Sequence, residues 1–415
     1  MKVKLTEVVY RQDLYPRFEL RQDYIQKYAH SIEHLPPIIL SQANILIDGY
    51  HRLKAHQLAG IEEIEVEILQ VESEKELKKL AYKYNAAHGI QLTDDEKRKY
   101  AVEMAEEMTN EELGLILSVD QSTVSRWTKN KREDMEAERN RKITQLYLRA
   151  WNTQQGIAKE LGVAQQTVSN VIDSTKNVHL QDFGKTFKPY VYNIWNIQKQ
   201  DNAMARFGAF PQVFMENLLH YHTEPLDIVY DPFAGGGTTV DACKKLLRRY
   251  YCTDRVIVAG REDDIREHDI RKGVPDELPK PGMVFLDPPY SLLAKGEYSQ
   301  DSEDLGNMEV DSFFDEFHSF INDLLKKKRP GRIAYVIRPF WNTANGDWKW
   351  IDPMLEFYRM VSGSYDIECR YVMPYSTEQY NGLWVNRAKE SQKCLILNRE
   401  LTVFARKGGE PEKNG

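Results

Sequence analysis

The chain has 415 residues, which at roughly 150 residues per domain suggests two to four domains. Lys and Arg number 56 and Asp and Glu number 63, so the formal net charge is −7, a balance that at first argues against nucleic acid as a partner. Hydrophobic residues make up 41%, enough for a sizeable core, and no apolar run of about 18 residues exists that could cross a membrane.

The N-terminus and the cysteines indicate the compartment. Met1 is followed closely by charged residues rather than by the apolar stretch of a signal peptide, so we expect a cytoplasmic protein. The four cysteines form no CxxC pair, which argues against a zinc ribbon and for a reducing environment. We predict no metal site.

Residues 1–91 have the pattern of a small α+β domain. The apolar runs 38–40 and 45–47, split by turn-forming residues, predict a β-hairpin, and the alternating run 64–68 predicts a strand with one wet face. Between them, Gly49 predicts a tight turn into a helix over 51–58 whose apolar side contains Leu53, Ala55 and Leu58. Arginine on the first turn of such a helix suits a phosphate, so Gly49, His51 and Arg52 are candidates for binding a phosphate group.

Residues 92–180 contain a repeat. The segment Val119-Asp-Gln-Ser-Thr-Val-Ser125 recurs as Val163-Ala-Gln-Gln-Thr-Val-Ser169, which indicates duplication of one helical unit. Each copy predicts a helix-turn-helix unit, over about 109–130 and 153–173, whose second helix could enter a DNA groove. The outward residues of these helices are Gln121, Ser122, Ser125 and Arg126 in the first copy and Gln165, Gln166, Ser169 and Asn170 in the second.

The charge of the two copies differs. Residues 121–132 contain four basic residues and no acidic one, whereas the second copy is polar and nearly neutral. The first copy is therefore the better candidate for DNA binding, and a purely structural helical pair remains an alternative for the second. The net acidity of the chain is an average that hides this local contrast.

Residues 184–407 alternate strands and helices. Apolar runs at 228–230, 283–286, 333–337 and 401–404 predict buried strands, with a helix over about 313–328 between two of them. This alternation predicts an α/β domain with a mostly parallel sheet. The polar tail 408–415 is predicted to be disordered.

A glycine-rich loop, Asp231-Pro-Phe-Ala-Gly-Gly-Gly-Thr-Thr239, follows the first of these strands and opens a helix. Glycines there allow the backbone to approach a ligand, and the helix start adds free amides. No lysine follows the last glycine, so a triphosphate-binding loop is not indicated. Asp254 lies at the spacing at which an acidic residue holds ribose hydroxyls, so the loop predicts a ribose-bearing cofactor without a triphosphate. A plain strand-to-helix loop is the alternative.

The tetrapeptide Asp287-Pro288-Pro289-Tyr290 ends the strand 283–286. It offers a carboxylate, a rigidly held Pro288 carbonyl and an aromatic face. Two acceptors and a stacking ring suit a planar amine, such as the exocyclic amino group of adenine or cytosine. A base can reach such a pocket only after it has been flipped out of a duplex.

These motifs together resemble those of S-adenosylmethionine-dependent DNA amino-methyltransferases, over residues from about 210 to 407. The resemblance implies a Rossmann-like sheet, S-adenosylmethionine as cofactor and Asp287, Pro288, Pro289 and Tyr290 as catalytic residues. It also implies a set of cofactor-binding residues: Phe210, Pro211, Asp231, Phe233, Ala234, Gly235, Gly237, Thr238, Thr239, Asp254 and Asp269. The glycine loop precedes the tetrapeptide, which is a permuted order, and the initial Asp287 favours adenine over cytosine.

Residues 1–91 resemble the N-terminal domain of ParB-type partition proteins, which is related to sulfiredoxin. Tyr50 stands where those families have an acidic residue or a cysteine, so sulfinic acid reduction is not indicated and nucleotide binding stays open. The helix-turn-helix units that follow match the same layout.

The complete prediction is a DNA adenine methyltransferase whose N-terminal half finds the site in double-stranded DNA. A homodimer and a restriction partner are open possibilities. The first alternative is a ParB-like partition or repressor protein with a vestigial catalytic domain. The second is a methyltransferase for RNA or protein amides.

Overall fold

The computed structural model describes residues 1–15, 17, 19–87, 92–195, 211–289, 301, 303–342, 349–374, 382–396 and 398–408. The chain divides into two compact units, residues 1–139 and 140–415. The boundary between these units falls between the two predicted helix-turn-helix units, although both were predicted to lie in one region, residues 92–180. Phe210, Tyr290 and most of the tail predicted to be disordered lie outside the described residues.

The first unit begins with a four-stranded sheet of order β1-β4-β2-β3. Its elements are β1 (Lys2–Lys4), α1 (Gln22–Ala29), β2 (Ile38–Ser41), β3 (Leu46–Asp48), α2 (Tyr50–Leu58), β4 (Glu63–Leu69) and α3 (Glu74–Ala87). Strands β2 and β3 form the predicted antiparallel hairpin, and β4 runs parallel to β2. Strand β4 alternates exposed Glu with buried Ile64 and Val66, as its sequence predicts.

One prediction for this unit was wrong. Leu58, expected on the apolar side of α2, is 61% exposed, whereas Leu53 and Ala55 are buried. His56 is buried instead, because its ring Nδ1 lies 2.8 Å from the Arg52 carbonyl oxygen in the preceding turn. A hydrogen bond back to the helix backbone lets this polar residue occupy an inward position.

The remainder of the first unit is helical, with α4 (Asp94–Glu103), α5 (Asn110–Leu117) and the start of α6 (Gln121–Leu148). Their core contains the stacked rings of Tyr82 and Tyr100, with centroids 3.5 Å apart, together with buried Leu113, Leu117 and Val124. The first helical pair, α5 with the start of α6, is thus stabilised by packing within its own unit.

The second unit contains a second helical pair and a seven-stranded sheet. Its elements after α6 are α7 (Gln154–Leu161), α8 (Gln165–Thr186), α9 (Gln212–His222), β5 (Ile228–Asp231), α10 (Thr238–Lys245), β6 (Arg249–Asp254), β7 (Ile265–Glu267), β8 (Met283–Leu286), α11 (Val310–Lys327), β9 (Arg332–Ile337), β10 (Phe340–Asn342), β11 (Lys349–Ile351), α12 (Pro353–Val361), β12 (Tyr365–Pro374), α13 (Gly382–Glu390) and β13 (Asn398–Arg406). The sheet order is β12-β13-β9-β8-β5-β6-β7.

The sheet is parallel from β7 to β9, and β13 lies antiparallel between β9 and β12. The central strands β5, β8 and β9 are buried along nearly their whole length, as expected for parallel strands covered by helices on both faces. One face, the α10 face, contains Val229, Cys252, Phe285, Val336 and Leu401 together with residues of α9 and α10. The opposite α11 face contains Tyr230, Leu286 and the aromatic side of α11. The predicted α/β fold class, a Rossmann-like sheet after a small α+β domain and a helical region, is confirmed.

Candidate functional site

The glycine loop and the Asp287 element meet at one edge of the sheet. Strands β5 and β8 are hydrogen-bonded neighbours in parallel register, with Val229 opposite Met283 and Tyr230 opposite Val284. The loop that follows β5 and the Asp287 segment that follows β8 therefore both leave the carboxyl-terminal edge. In open α/β sheets this edge is where ligands bind.

Asp231 organises the start of the glycine loop. Its carboxylate accepts hydrogen bonds from the Thr239 hydroxyl at 2.5 Å and from the Phe233 backbone amide at 2.9 Å. The side chain is buried, and burial raises its pKa to about 7, although these hydrogen bonds act in the opposite direction. Asp231 and Thr239 thus hold the two ends of the loop together.

Asp254, at the end of β6, fixes the middle of the loop. One carboxylate oxygen accepts the Gly235 amide at 2.7 Å and the other accepts the Val256 amide at 3.2 Å. Burial raises the pKa of this carboxyl as well. Each oxygen of a carboxylate can accept a second hydrogen bond, so Asp254 retains capacity for a ligand hydroxyl.

The loop leaves space where a ligand would approach. Gly235 and Gly237 have positive φ values of 50° and 87°, which favour glycine. A Cβ atom at Gly236 would meet nothing within 4 Å, and one at Gly235 would meet only the Phe233 carbonyl oxygen at 3.9 Å. At Gly237 a Cβ would lie 2.9 Å from the Arg261 guanidinium, so this glycine is required by the protein itself.

The other predicted cofactor residues have different surroundings. Thr238 begins α10 and is half-buried, Ala234 is buried in the core of the α10 face, and Phe233 packs against the core of the α11 face. Pro211 is half-buried immediately before α9. Predictions for these residues stay predictions.

Asp269 is engaged in an ion pair. Its carboxylate accepts the Arg271 amide at 3.0 Å and the Arg271 guanidinium at 2.5 Å. Burial alone would raise its pKa, but these bonds and the nearby charge of Arg255 leave the pKa below its usual value. Asp269 is thus an ionised group with a cationic partner.

Asp287 lies half-buried beyond the end of β8. Burial raises the pKa of its carboxyl to about 7, the charge of Arg399 lowers it, and the nearby Asp231 raises it. The charges of Arg399 and Asp231 thus act in opposite directions on the Asp287 carboxyl. Pro288 is buried and Pro289 half-buried, so the backbone after Asp287 is held rigidly.

Arg399 is a residue of this edge that sequence reasoning missed. It lies at the start of β13. Strand β13 is the neighbour of β9, and β9 is the neighbour of β8. No local motif marks it, because only the antiparallel insertion of β13 beside β9 brings it to this edge.

The first helical pair exposes all four of its predicted DNA-binding residues. Gln121, Ser122, Ser125 and Arg126 are exposed, while Val124 is buried against α5. The basic face is smaller than the sequence suggests, because Arg132 donates to the Met108 carbonyl at 2.7 Å and Lys131 lies 2.5 Å from Glu106.

The second helical pair has a polar outer face. Gln165, Gln166 and Asn170 are exposed and Ser169 is half-buried. The Gln166 side-chain amide donates a hydrogen bond to the Asn170 side-chain oxygen at 2.8 Å. These two side chains therefore use part of their hydrogen-bonding capacity on each other.

The pair α7 and α8 is joined to the sheet by the segment that precedes α7. The Ala150 amide donates to the Tyr250 carbonyl at 2.8 Å, which extends the sheet beside β6. Arg249 donates to the carbonyls of Tyr147 and Asn152, both at 2.9 Å, and of Ala150 at 3.2 Å.

The predicted phosphate turn in the first unit is filled by the protein's own contacts. Gly49 has a φ of 104°, and a Cβ there would lie 2.6 Å from Ile38. Arg52 donates to the Pro37 carbonyl at 2.7 Å and to the Asp48 carboxylate at 2.6 Å. His51 is buried, which lowers its pKa to about 4, and its Nε2 accepts the Arg21 amide.

Two absences hold for the part of the chain that the structure describes. No group of three or more His, Cys, Asp or Glu side chains there could hold a metal ion. None of the described helices combines the length and apolar character that crossing a membrane requires.

Comparison with known proteins agrees with the site. Residues 65–257 match the family model described as DNA methylase. The matched range includes the glycine loop and Asp254 and ends before Asp287.

Two curated proteins and a solved structure are similar over parts of the chain. The type II methyltransferase M.XycI of Xanthomonas campestris pv. cyanopsidis is 38% identical over 58 residues, which are 14% of this chain and 19% of that protein. The transcriptional regulator NovG of Streptomyces niveus is 36% identical over 83 residues, 20% of this chain and 26% of that protein. The chromosome-partitioning protein ParB of Caulobacter crescentus, complexed to the centromeric parS site, is 18% identical with a TM-score of 0.26, over 31% of this chain and 70% of that one.

The chain thus spans about a fifth to a quarter of the curated relatives it matches. The family match and the type II methyltransferase similarity confirm the predicted resemblance to DNA amino-methyltransferases.

Proposed function

We propose that this protein is a DNA methyltransferase that transfers a methyl group from S-adenosylmethionine to the exocyclic amino group of a base flipped out of duplex DNA. Adenine is the favoured base and cytosine the second choice. The observation that carries the proposal is the juxtaposition of β5 and β8. It brings the glycine loop and Asp287 to one edge of the sheet.

The residues at this edge fit the cofactor. The open space over Gly235 and Gly236 allows a ligand to approach the backbone, and Asp254 has lone pairs that suit ribose hydroxyls. Asp231 holds the loop in this shape through Thr239. When bound, S-adenosylmethionine supplies an activated methyl group on a sulfonium.

Asp287 and Pro288 would act on the target base. The amino group would donate one hydrogen bond to the Asp287 carboxylate and one to the Pro288 carbonyl. Its lone pair, otherwise delocalised into the ring, would then be available for in-line attack on the methyl carbon. The C–N bond would form as the C–S bond breaks to leave a neutral thioether, and the amino nitrogen would lose one proton to solvent. Tyr290 stays a predicted stacking residue. Orientation and fixed charge would provide most of the rate.

The helical pairs would provide contact with the duplex. Exposed Gln and Ser side chains at the start of α6 can reach base edges, and Arg126 can contact a phosphate. We therefore assign site finding to these helix-turn-helix units. A cytoplasmic location, a homodimer, a bound nucleotide in the first unit and a restriction partner stay predictions from the sequence.

The test is transfer of labelled methyl groups from S-adenosylmethionine to unmethylated plasmid. We expect transfer by the wild type, and a loss of about a hundredfold or more for Asp287→Ala with unchanged DNA binding. Asp276→Ala, which removes an exposed carboxylate of the same unit, is the matched control and should transfer normally. Digestion of the product to nucleosides would distinguish N6-methyladenine from N4-methylcytosine.

The similarity to NovG favours one alternative, a DNA-binding repressor or partition protein whose catalytic domain is inactive. Tight DNA binding without methyl transfer by the wild type would establish that alternative. Preferred transfer to structured RNA would instead indicate an RNA methyltransferase.

A further inference from the structure

A group of tryptophan side chains follows the same edge of the sheet as Asp287. Strand β9 is parallel to β8, and the two-stranded ribbon β10–β11 begins at Phe340, shortly after β9 ends at Ile337. Strand β12 runs in the direction of β9, because β13 lies antiparallel to both of them. Helix α13 lies in the chain between the end of β12 and the start of β13. The ribbon and α13 therefore both leave the carboxyl-terminal edge, as the Asp287 segment does.

The ribbon β10–β11 has a buried apolar side and an aromatic outer side. Phe340 is buried and pairs with Ile351, whereas the next pair in the register is Trp341 with Trp350. Because side chains alternate along a strand, the two tryptophans lie together on the side opposite Phe340. Their rings contact edge to face, with centroids 4.9 Å apart, and Trp350 is 46% exposed. The ribbon thus presents a large aromatic ring to solvent.

Contacts with the segment after α13 hold the ribbon in place. The Trp341 indole Nε1 donates to the Cys394 carbonyl at 3.0 Å, and the Lys393 Nζ lies 5.0 Å from the centroid of the Trp341 ring. The second contact is a cation–π interaction. On α13 the Arg387 guanidinium lies 5.7 Å from the centroid of Trp384, a ring that is 39% exposed. Cations and aromatic rings are therefore interleaved on these elements.

The charges of these elements are mostly positive. In the described residues of β10, β11, α13 and 391–396, the cations are Lys349, Arg387, Lys389 and Lys393, and the one acid is Glu390. Contacts between protein subunits are depleted of lysine, whereas aromatic rings among cations are typical of surfaces that bind unpaired nucleic acid. The rings stack on bases of any sequence and the cations contact phosphates. This surface therefore fits DNA with unstacked bases better than a second copy of the chain.

We propose that the tryptophan surface, defined as Trp341, Trp350, Trp384, Arg387 and Lys393, binds the DNA next to the target base. Trp350 stacks on a base that becomes exposed when the target base leaves the duplex. Flipping removes a stacking contact from the bases around the target, and an aromatic ring can replace that contact. The inference deepens the proposed function and rests on it for the link to the flipped base.

The test measures binding of the full chain to two DNA duplexes of one sequence, one fully paired and one with a short central stretch of unpaired bases. We expect Trp350→Ala to weaken binding to the duplex with unpaired bases roughly tenfold, with little change for the paired duplex. Trp350→Phe, which retains an aromatic ring, should keep most of the affinity. Tyr221→Ala is the matched control, because Tyr221 is 40% exposed near the end of α9, just before β5 starts at the opposite edge.

The cations are tested separately through the salt dependence of binding. Lys393→Met retains an unbranched side chain over Trp341 but removes the charge. We expect the slope of log affinity against log salt concentration to fall by about one for both duplexes. Trp350→Ala should leave this slope unchanged, because stacking releases no counterions. An unchanged slope in Lys393→Met would overturn the assignment of Lys393 to a phosphate.

Two further outcomes would overturn the proposal. One is equal affinity of the wild type and Trp350→Ala for the duplex with unpaired bases. The other is a dimer, measured by sedimentation, that Trp350→Ala dissociates without a change in DNA affinity, because this face would then join two copies of the chain. If the wild type bound unpaired DNA through Trp350 but transferred no methyl group, the proposed function would be refuted and the DNA-binding surface retained.

Discussion

The two helical pairs contain the same sequence repeat but are stabilised differently. The first, α5 with the start of α6, packs on the core of Tyr82 and Tyr100 within the first unit. The second, α7 with α8, belongs to the unit of the seven-stranded sheet and is joined to β6 through Arg249. The comparison teaches that a repeated motif can keep its shape while one copy packs with the seven-stranded sheet.

The largest expected effect comes from breaking the attachment of the second pair. Arg249→Met leaves three carbonyl groups without their charged donor, and we expect it to destabilise α7 and α8 by about 3 kcal/mol. Hydrogen exchange should show faster exchange in α7 and α8 but not in α5. Arg266→Met, which removes a partly exposed arginine stacked on Trp151, is the control and should cost less than about 1 kcal/mol. Equal loss of protection in α5 would contradict the independence of the two pairs.

The next largest expected difference in stability lies at the N-terminal caps of α5 and α7. Thr109 forms a reciprocal capping box with Glu112, whereas Thr153 caps α7 only through the Gly156 amide. We expect Thr109→Ala to destabilise α5 by about 1 to 2 kcal/mol and Thr153→Ala to destabilise α7 by less than about 1 kcal/mol. Local hydrogen exchange measures both. Equal destabilisation by Thr109→Ala and Thr153→Ala would contradict this difference between the two caps.

The same box predicts a pH dependence confined to the first pair. Hydrogen bonds from the backbone and side chain of Thr109 hold the pKa of Glu112 below its ordinary value of 4.5. A lowered folded pKa means that the contribution to stability is present above pH 4.5 and is lost as the pH falls through the folded pKa. Protection of α5 should therefore fall as the pH drops below 4.5. Glu112→Gln should remove this dependence, and α7, with Gly156 at the matching position, should not show it.

The smallest effect concerns DNA. Arg126 is exposed at the start of α6 and has no acidic partner among the described ion pairs, so its replacement by alanine should reduce the salt dependence of DNA binding by about one counterion. Asn170→Ala, on the matching face of the second pair, should leave the slope unchanged. DNA binding measured as a function of salt concentration tests both variants. If the wild type and Arg126→Ala had equal slopes, Arg126 would make no phosphate contact.

Most elements with a clear periodicity were predicted from the sequence. The hairpin β2–β3, strand β4, the core strands β5, β8 and β9, and the helix α11 are present close to their predicted limits. The short edge strands β1 and β7 were not predicted, because each has one apolar residue among charged ones and so contains no apolar run. Strand β12 was missed although its residues alternate between inward and exposed positions along most of its length, a pattern typical of a strand with one solvent-facing side.

Charged residues were harder to interpret than apolar ones. Arg52 and Arg132 have the sequence context of anion-binding residues, yet both donate to backbone carbonyls of their own unit. Asp254 was predicted to face a ligand and also fixes the loop through Gly235. The hydrogen-bond partner of a charged side chain depends on which groups the fold brings near it. The sequence does not reveal which carbonyl groups those will be.

By itself, the sequence determined the motifs: the glycine loop, the Asp287 tetrapeptide, the duplicated helical pair and the alternation of strands and helices. These depend on backbone geometry and local periodicity, which neighbouring residues decide. Only the tertiary structure decided that β5 and β8 are neighbours, that β13 inserts beside β9 and brings Arg399 toward Asp287, and that the second helical pair joins the sheet. Those outcomes depend on strand order and long-range hydrogen bonds, which form between residues far apart in the chain and leave no local trace in it.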